Sequence, residues 1–280
     1  MILIDMNQIA VANLMMNLKM NNSKTIDESM VRHMILNSIR MYRMEHHDEY
    51  GEVVLTWDSK HSWRRDYYPE YKASRRKGRE ESDLNWDDIF GTLNKIRNEI
   101  KENFPYKYLE VFGAEADDII GFLCEENRDE KIMIISADKD FIQLQKYPNV
   151  KQWSPITKKD VNGFNPTTYL KEHILKGDTS DGVPNVLSPD NTFVDGLRQR
   201  PLSRKKIQSW LIGGGSDWND EVKRNFQRNS TLIDLSRTPE ELKNQIRLEY
   251  KNAPHGDRSK LLNYFMKNKL KELTENIGEF

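Results

Sequence analysis

The sequence predicts an α/β fold: a mostly parallel sheet with flanking helices, followed by a smaller all-helical region. Three observations carry this. Five short β-type runs, Ile2–Ile4, Val53–Trp57, Tyr108–Phe112, Lys131–Ile135 and Val150–Trp153, lie in the first part of the chain. Helical stripes separate them, and strands joined through helices pair in parallel and are covered on both faces. Past about residue 186 the β-type runs stop and polar helical stretches replace them.

After the first run, Thr25 or Asp27 offers an N-cap for a helix whose apolar positions Met30, Val31, Met34, Ile35 and Ile39 follow three-four spacing. Ala116, Ile119, Ile120 and Leu123 form a second such stripe between the third and fourth runs. Near the end, 219–235, 239–250 and 258–275 read as helices, with GGGS at 213–216 as a flexible turn. The expected division is a domain over 1–185 and a helical domain over 186–280.

With 280 residues, 37% hydrophobic and 31% charged, the composition suits a soluble protein with a sizeable core. No stretch approaches the roughly 20 consecutive apolar residues of a membrane span, and the N-terminus lacks the pattern of a signal peptide. The single cysteine, Cys124, sits on an apolar stripe and reads as core packing, consistent with a reducing cytoplasm. Paired Cys/His spacing for zinc is missing. The formal net charge of −1 hides segregation: Lys60 to Arg79 holds eight Lys/Arg and two acids, while acids gather around 115–118, 138–140 and 178–181.

Asp5 and Asp58 immediately follow the first and second runs, and Asp138 and Asp140 come just after the fourth. Glu115, Asp117 and Asp118 open the helix that follows the third. A lone Asp after a strand is ordinarily a turn former or an N-cap. Four segments that each bring acid to the carboxyl edge of one parallel sheet, where ligands bind, are harder to explain that way. Crowded carboxylates repel unless protonated or neutralised, and oxygen donors without Cys or His favour a hard ion, Mg²⁺ or Mn²⁺. A fifth segment, LKGDTSDGVPN at 175–185, adds Asp178 and Asp181, three apart and broken off by Gly182 and Pro184. That is enough for two ions, the clamp used for in-line displacement at phosphorus. No P-loop or nucleophilic Ser-His arrangement competes. The six histidines, His173 among them, are scattered and read as surface or packing residues.

Directly after Asp58 comes SKHSWRRDYYPEYKASRRKGR, 59–79. Its cations suit phosphates, and Trp63, Tyr67, Tyr68 and Tyr71 suit stacking on exposed bases. Lys72 and Arg75 have the spacing to point one way on a helix and form a cationic clamp on a scissile phosphate. A second basic patch, Arg198, Arg200, Arg204, Lys205 and Lys206, follows the 175–185 turn. None of these suggests base-edge readout, so binding by shape and charge is expected.

Five motifs, LIDMN (3–7), WRRDYYPEYKASR (63–75), GAEADDIIG (113–121), SADKDFIQL (136–144) and GDTSDGVPN (177–185), together resemble the metal-dependent 5′ nucleases of the flap endonuclease family. Within it, MVRHMILNSI (30–39), KYPNVKQWSP (146–155) and the ending ENIGEF are similar to the ribonuclease H branch of T-even-like bacteriophages. The resemblance implies the PIN-like 5′ nuclease fold, with a helical arch at about 59–90 and a helix-turn-helix element starting at about 165–185. It implies a 5′→3′ exonuclease and flap endonuclease acting on RNA·DNA and DNA duplexes, working as a monomer in the host cytoplasm and removing RNA primers in phage lagging-strand replication. By motif match the first Mg²⁺ falls to Asp5, Asp58, Glu115, Asp117, Asp118 and Asp138, some through water. The second falls to Asp140, Asp178 and Asp181, with Asp138 between the two. Lys72, Arg75 and Asp138 become the catalytic residues. Arg64, Arg65, Tyr71, Lys72, Arg75, Arg76, Lys77, Arg79, Arg204, Lys205 and Lys206 become nucleic-acid contacts. The family also admits a K⁺ at the 175–185 turn, and a single-stranded-DNA-binding protein and sliding clamp as partners. The chain departs after Asn185, where VLSPDNTFVDGLRQRP replaces the family's glycine-rich turn. Two alternatives share parts of this pattern: a non-catalytic structure-selective DNA-binding protein, and a PIN-type single-stranded ribonuclease.

Overall fold

The computed structural model describes residues 1–20 and 25–280. Its elements run β1 (Ile2–Asp5), α1 (Met6–Met20), α2 (Glu28–Tyr50), β2 (Val53–Thr56), α3 (Trp63–Tyr67), α4 (Ser74–Glu80), α5 (Trp86–Asn103), β3 (Lys107–Leu109), α6 (Ala116–Glu126) and β4 (Ile132–Ile135). A 3₁₀ helix (Lys139–Lys146) precedes β5 (Val150–Ser154), β6 (Lys159–Asp160) and α7 (Pro166–Lys176). After it come α8 (Arg204–Gly213), α9 (Asp220–Ile233), α10 (Glu240–Asn252), α11 (Leu261–Lys267) and α12 (Lys271–Glu275), with short 3₁₀ helices at Asp190–Thr192, Leu235–Arg237 and Ile277–Glu279.

The six strands lie in the order β3-β2-β1-β4-β5-β6, parallel except for the two-residue edge strand β6. Every residue of β1, β2 and β4 is buried, as central parallel strands require. Alternation along β1 divides the core. Ile2 and Ile4 pack with α1, α2 and α5 on one face, while Leu3 packs with Ile119, Ile120 and Leu123 of α6 on the other. Asp27 is the cap of α2, its side chain accepting from the Met30 N–H at 3.0 Å. Cys124 is fully buried.

Three expectations are adjusted. The third strand is Lys107–Leu109, shifted from Tyr108–Phe112: Val111 is buried, but Phe112 has already turned out to solvent. The 258–275 stretch is two short helices, because the chain turns at Lys269, whose φ is +56°. The helical tail also shares the sheet's cores. Leu261, Phe265, Leu273 and Phe280 join the α2 face, and Leu235 and Ile246 join the α6 face.

Candidate active site

Three neighbouring strands deliver acids to one edge. Asp5 ends β1 opposite Thr56 of β2, and Ile4 pairs with Ile135 of β4, so Asp5, Asp58 and Asp138 leave the sheet at the same carboxyl ends. Strand order reverses between β1 and β4, the switch point where open parallel sheets form their crevice. Local hydrogen bonds aim each group. Asp5 accepts from the Gln8 N–H at 3.2 Å and from the Ser136 hydroxyl at 3.0 Å. Asp58 accepts from the Ala116 N–H at 2.8 Å, which ties the end of β2 to the start of α6. Asp138 caps the 3₁₀ helix through the Asp140 N–H at 2.9 Å. Asp117, Asp140, Asp178 and Asp181 line one small cavity with Arg64 and Tyr71.

The turn after α7 is built by glycine. Gly177 has φ +68°, and a Cβ there would lie 2.3 Å from the Val183 carbonyl oxygen. Asp178 then folds the turn back, its Oδ1 accepting from the Ser180 N–H, the Ser180 hydroxyl and the Asp181 N–H. Asp178 and Asp181 therefore sit on an Asx-type turn, not on a helical face as their spacing suggested.

Crowding shows in the acidities. Burial, then the neighbouring Asp58, pushes Asp5 up to about 7. Burial pushes Asp140 up to about 7 against the pull of His173. Burial followed by Asp138 and Asp5 raises Asp117 well above the carboxylate range, and burial raises Asp58 and Asp138 as well. These acids feel one another's charge, so the loops hold them together against electrostatic repulsion. Such a set of oxygen donors fits hard divalent ions, which would neutralise it.

Lys72 stands apart from the other cations. Burial pushes its pKa down, but Asp181 and Glu115 outweigh burial and hold it above the ordinary lysine value; its Nζ lies 2.6 Å from Glu115 Oε1 and 3.6 Å from Asp181 Oδ2. Burial alone would raise Glu115, and Lys72 and Arg64 instead hold it low. Lys72 is not helical. Its φ is +58°, its N–H donates to the Asp181 carbonyl at 2.8 Å, and α4 starts at Ser74. Arg75 donates to the Ser180 carbonyl and pairs with Asp181. Gly182 makes this approach possible, since a Cβ there would stand 3.2 Å from the Glu70 carbonyl oxygen. The basic stretch and the 175–185 turn are thus joined backbone to backbone.

Three expected site residues do other work. Asp118, in the first turn of α6, is fully buried, with its oxygens taken by Trp63 Nε1, Arg64, the Thr238 hydroxyl and the Glu115 N–H, so it has none to offer a metal in the cleft. Arg64 is 2% exposed and bonds Asp118, Glu115 and the Leu232 carbonyl, which removes it from any nucleic-acid surface. Tyr71 is 3% exposed, its hydroxyl donating between Glu115 and Asp181, so it cannot stack on a base. Tyr68 is buried too, its hydroxyl on the Asp190 carbonyl, whereas Tyr67 remains open to solvent. Arg65, Arg76 and Lys77 are exposed, Arg79 is half-buried, and Arg204, Lys205 and Lys206 are exposed on the first turn of α8. The departure after Asn185 is stabilised locally: Asn185 bonds the Gln199 side chain and the Arg200 carbonyl, and Asp190 pairs with Arg224 and Arg228.

One residue of the cleft escaped the sequence reading. His173, in the last turn of α7, places Nδ1 3.3 Å from Asp140 Oδ1 and Nε2 3.5 Å from Asp178 Oδ2. The three side chains can offer ligand atoms within 4.8 Å of one another. The usable signal was positional. A helix closing at Gly177 leaves His173 one turn before the acid-bearing turn.

Comparison with known proteins agrees with this geometry. The 5′-3′ exonuclease N-terminal resolvase-like domain matches residues 1–174, and the T4 RNase H C-terminal domain matches residues 166–280. Ribonuclease H of Enterobacteria phage T4 is 36% identical over 296 residues, 99% of this chain and 95% of that protein. A 5′-3′ exonuclease of Buchnera aphidicola is 30% identical over 145 residues, 48% of each chain. Among solved structures, the flap endonuclease of bacteriophage T5, in a complex with DNA and metal ions, superposes with a TM-score of 0.63 at 16% identity, covering 89% of this chain and 97% of that one. With acids at the carboxyl edge of a parallel sheet and both domain matches, the chain belongs to the 5′-3′ exonuclease family of metal-dependent 5′ nucleases, in the branch that carries the T4 RNase H C-terminal domain.

Proposed function

We propose that the protein is a structure-selective 5′→3′ exonuclease and flap endonuclease that hydrolyses phosphodiesters of RNA·DNA and DNA duplexes with two Mg²⁺, Mn²⁺ being a substitute, and removes RNA primers in phage lagging-strand replication. The observation that carries this is the convergence of Asp5, Asp58 and Asp138 from three adjacent strand ends with acids from α6 and the 175–185 turn. The similarity to ribonuclease H of phage T4 and to the T5 flap endonuclease bound to DNA supports the substrate class.

In this reading Asp5, Asp58, Glu115, Asp117 and Asp138 would hold the first ion, and Asp140, Asp178 and Asp181 the second, with Asp138 between them. The chemistry such ions supply is activation of a water for in-line attack and stabilisation of the leaving oxygen. The chain's own residues bind and orient. Lys72 and Arg75, which now pair with Glu115 and Asp181, would face the scissile phosphate with those acids bound to metal, and their charge would count most in the transition state. Arg65, Arg76, Lys77 and Arg79 on the arch, with Arg204, Lys205 and Lys206 at the start of α8, hold phosphates without reading sequence. A K⁺ at the 175–185 turn, and a phage single-stranded-DNA-binding protein and sliding clamp as partners, belong to the same proposal.

The test is product analysis on 5′-labelled primer, flap and nicked substrates, with Mg²⁺ and with EDTA, for the native protein and Asp138→Asn. Short 5′ products that need Mg²⁺ are expected from the native protein. The variant should bind duplex and leave it intact. A variant that cuts flaps at the native rate sinks the assignment. Binding with no Mg²⁺-dependent turnover would point to a passive DNA-binding protein, and cutting of free single-stranded RNA without a 5′-end requirement to a PIN-type ribonuclease.

A further inference from the structure

We propose that His173 is a ligand of the second metal ion, bound through Nδ1 and oriented by Asp178, so that this half of the centre mixes nitrogen with oxygen donors. The inference rests on the metal-centre reading above and changes its second half: His173 binds the ion with Asp140 and Asp181, while Asp178 orients the ring instead of binding the ion. Its basis is the ring's surroundings. Nδ1 is buried and makes no hydrogen bond among the described residues, although Asp140 Oδ1 lies only 3.3 Å away. A buried imidazole nitrogen without a partner is costly. About 3 Å is also the separation of two adjacent donors around an ion whose bonds are about 2.0–2.2 Å.

The other side of the ring fixes its orientation. Asp178 Oδ1 is consumed by the Ser180 N–H, the Ser180 hydroxyl and the Asp181 N–H. Its Oδ2 faces His173 Nε2 at 3.5 Å. This is the arrangement in which a carboxylate accepts a hydrogen bond from Nε2–H, holds the proton on that nitrogen and leaves the Nδ1 lone pair for a metal. Tyr169 meets the ring edge-on at 5.9 Å and hinders its rotation. Asp140 approaches from the 3₁₀ helix, so the donors come from two elements that pack on each other. A nitrogen donor shifts selectivity from Mg²⁺ toward Mn²⁺ and later divalent metals, which bind imidazole more strongly.

The experiment is pulsed electron paramagnetic resonance on the full chain loaded with Mn²⁺ alone, without nucleic acid, alongside calorimetric Mn²⁺ and Mg²⁺ titrations. Native protein should show nitrogen modulation from a coordinated imidazole. His173→Ala and His173→Gln should lose it and bind one Mn²⁺ about 10–100-fold more weakly, while Mg²⁺ binding changes far less. Thermal unfolding monitors the fold of both variants. The native spectrum needs no substitution, so the inference stays testable even if a variant misfolds. Native protein without nitrogen modulation overturns it, leaving a plain ion pair of His173 with its acids. Modulation that persists in both variants overturns it equally. Nitrogen modulation in a protein that cuts no substrate would uphold the ligand assignment while removing the nuclease reading.

Discussion

Arg64 and Lys72 come from one basic stretch, yet Arg64 is buried on Asp118 of α6 while Lys72 reaches Glu115 and Asp181. Removing Arg64 leaves Asp118 buried with its cation gone, a loss of about 3–5 kcal/mol. Urea unfolding of Arg64→Ala should show that loss, and Arg64→Lys should recover only part, because an ammonium lacks the guanidinium fork that serves Asp118, Glu115 and the Leu232 carbonyl together. Lys72→Ala should leave duplex affinity nearly unchanged and lower single-turnover cleavage by orders of magnitude, while equal losses in both would make Lys72 an ordinary phosphate contact. The sequence displayed every one of these charges but not their depth. Arg64 and Arg65 are adjacent, and partners far along the chain, Glu115, Asp118 and the Leu232 carbonyl, decide that one is interior and the other exposed. Asp118 and Tyr71 were misjudged for the same reason, and His173 was passed over because its acids belong to other elements.

The elements themselves were largely legible. Short apolar runs bounded by helical stripes gave β1, β2, β4 and β5 nearly to the residue, and acids just beyond three of the strands lie at the one edge where the acids gather. Less legible was whatever depended on a second element. The third strand slid to Lys107–Leu109 to pair with β2, and the two-residue β6 exists only because β5 offers it an edge. The contact between the basic stretch and the 175–185 turn is of this kind. Gly182 combines φ +73° with a backbone oxygen 3.2 Å from its vacant Cβ position. Gly182→Ala should therefore cost about 1–2 kcal/mol in thermal or urea unfolding, the usual penalty of a side chain in the left-handed region. It should also depress cleavage more than Mn²⁺ affinity, by moving Lys72 off the turn. Unchanged cleavage would show that this contact does not position Lys72.

For the molecule as a whole, the cluster of raised acids predicts a pH dependence in the metal-free state. Asp5 and Asp140 titrate near 7 when folded but near the ordinary carboxylate value, about 4, when unfolded. Between those values the folded protein binds more protons than the unfolded chain, so stability falls as pH rises from about 4 to 7. His173 has the same sign at the top of that window and above it. Burial lowers its value, but Asp178 and Asp140 raise it overall, so the stability it contributes is lost as pH climbs through its folded value. Calorimetry in EDTA should give a lower midpoint at pH 7.5 than at pH 5, and Mg²⁺ should raise the midpoint more at pH 7.5. A metal-free midpoint that climbs steadily across the interval would contradict the charge crowding. The shared cores bear on the same scale: α11 and α12 pack against α2 and the sheet, so the tail is integral to the body that carries the acids.

The backbone hydrogen bond from Lys72 to Asp181 has a geometric corollary. On the proposed reading, one segment grips the double-stranded part of a substrate and the other meets the bond to be broken. Their seam would act as a ruler, setting the incision a constant number of nucleotides from the junction whatever the base composition.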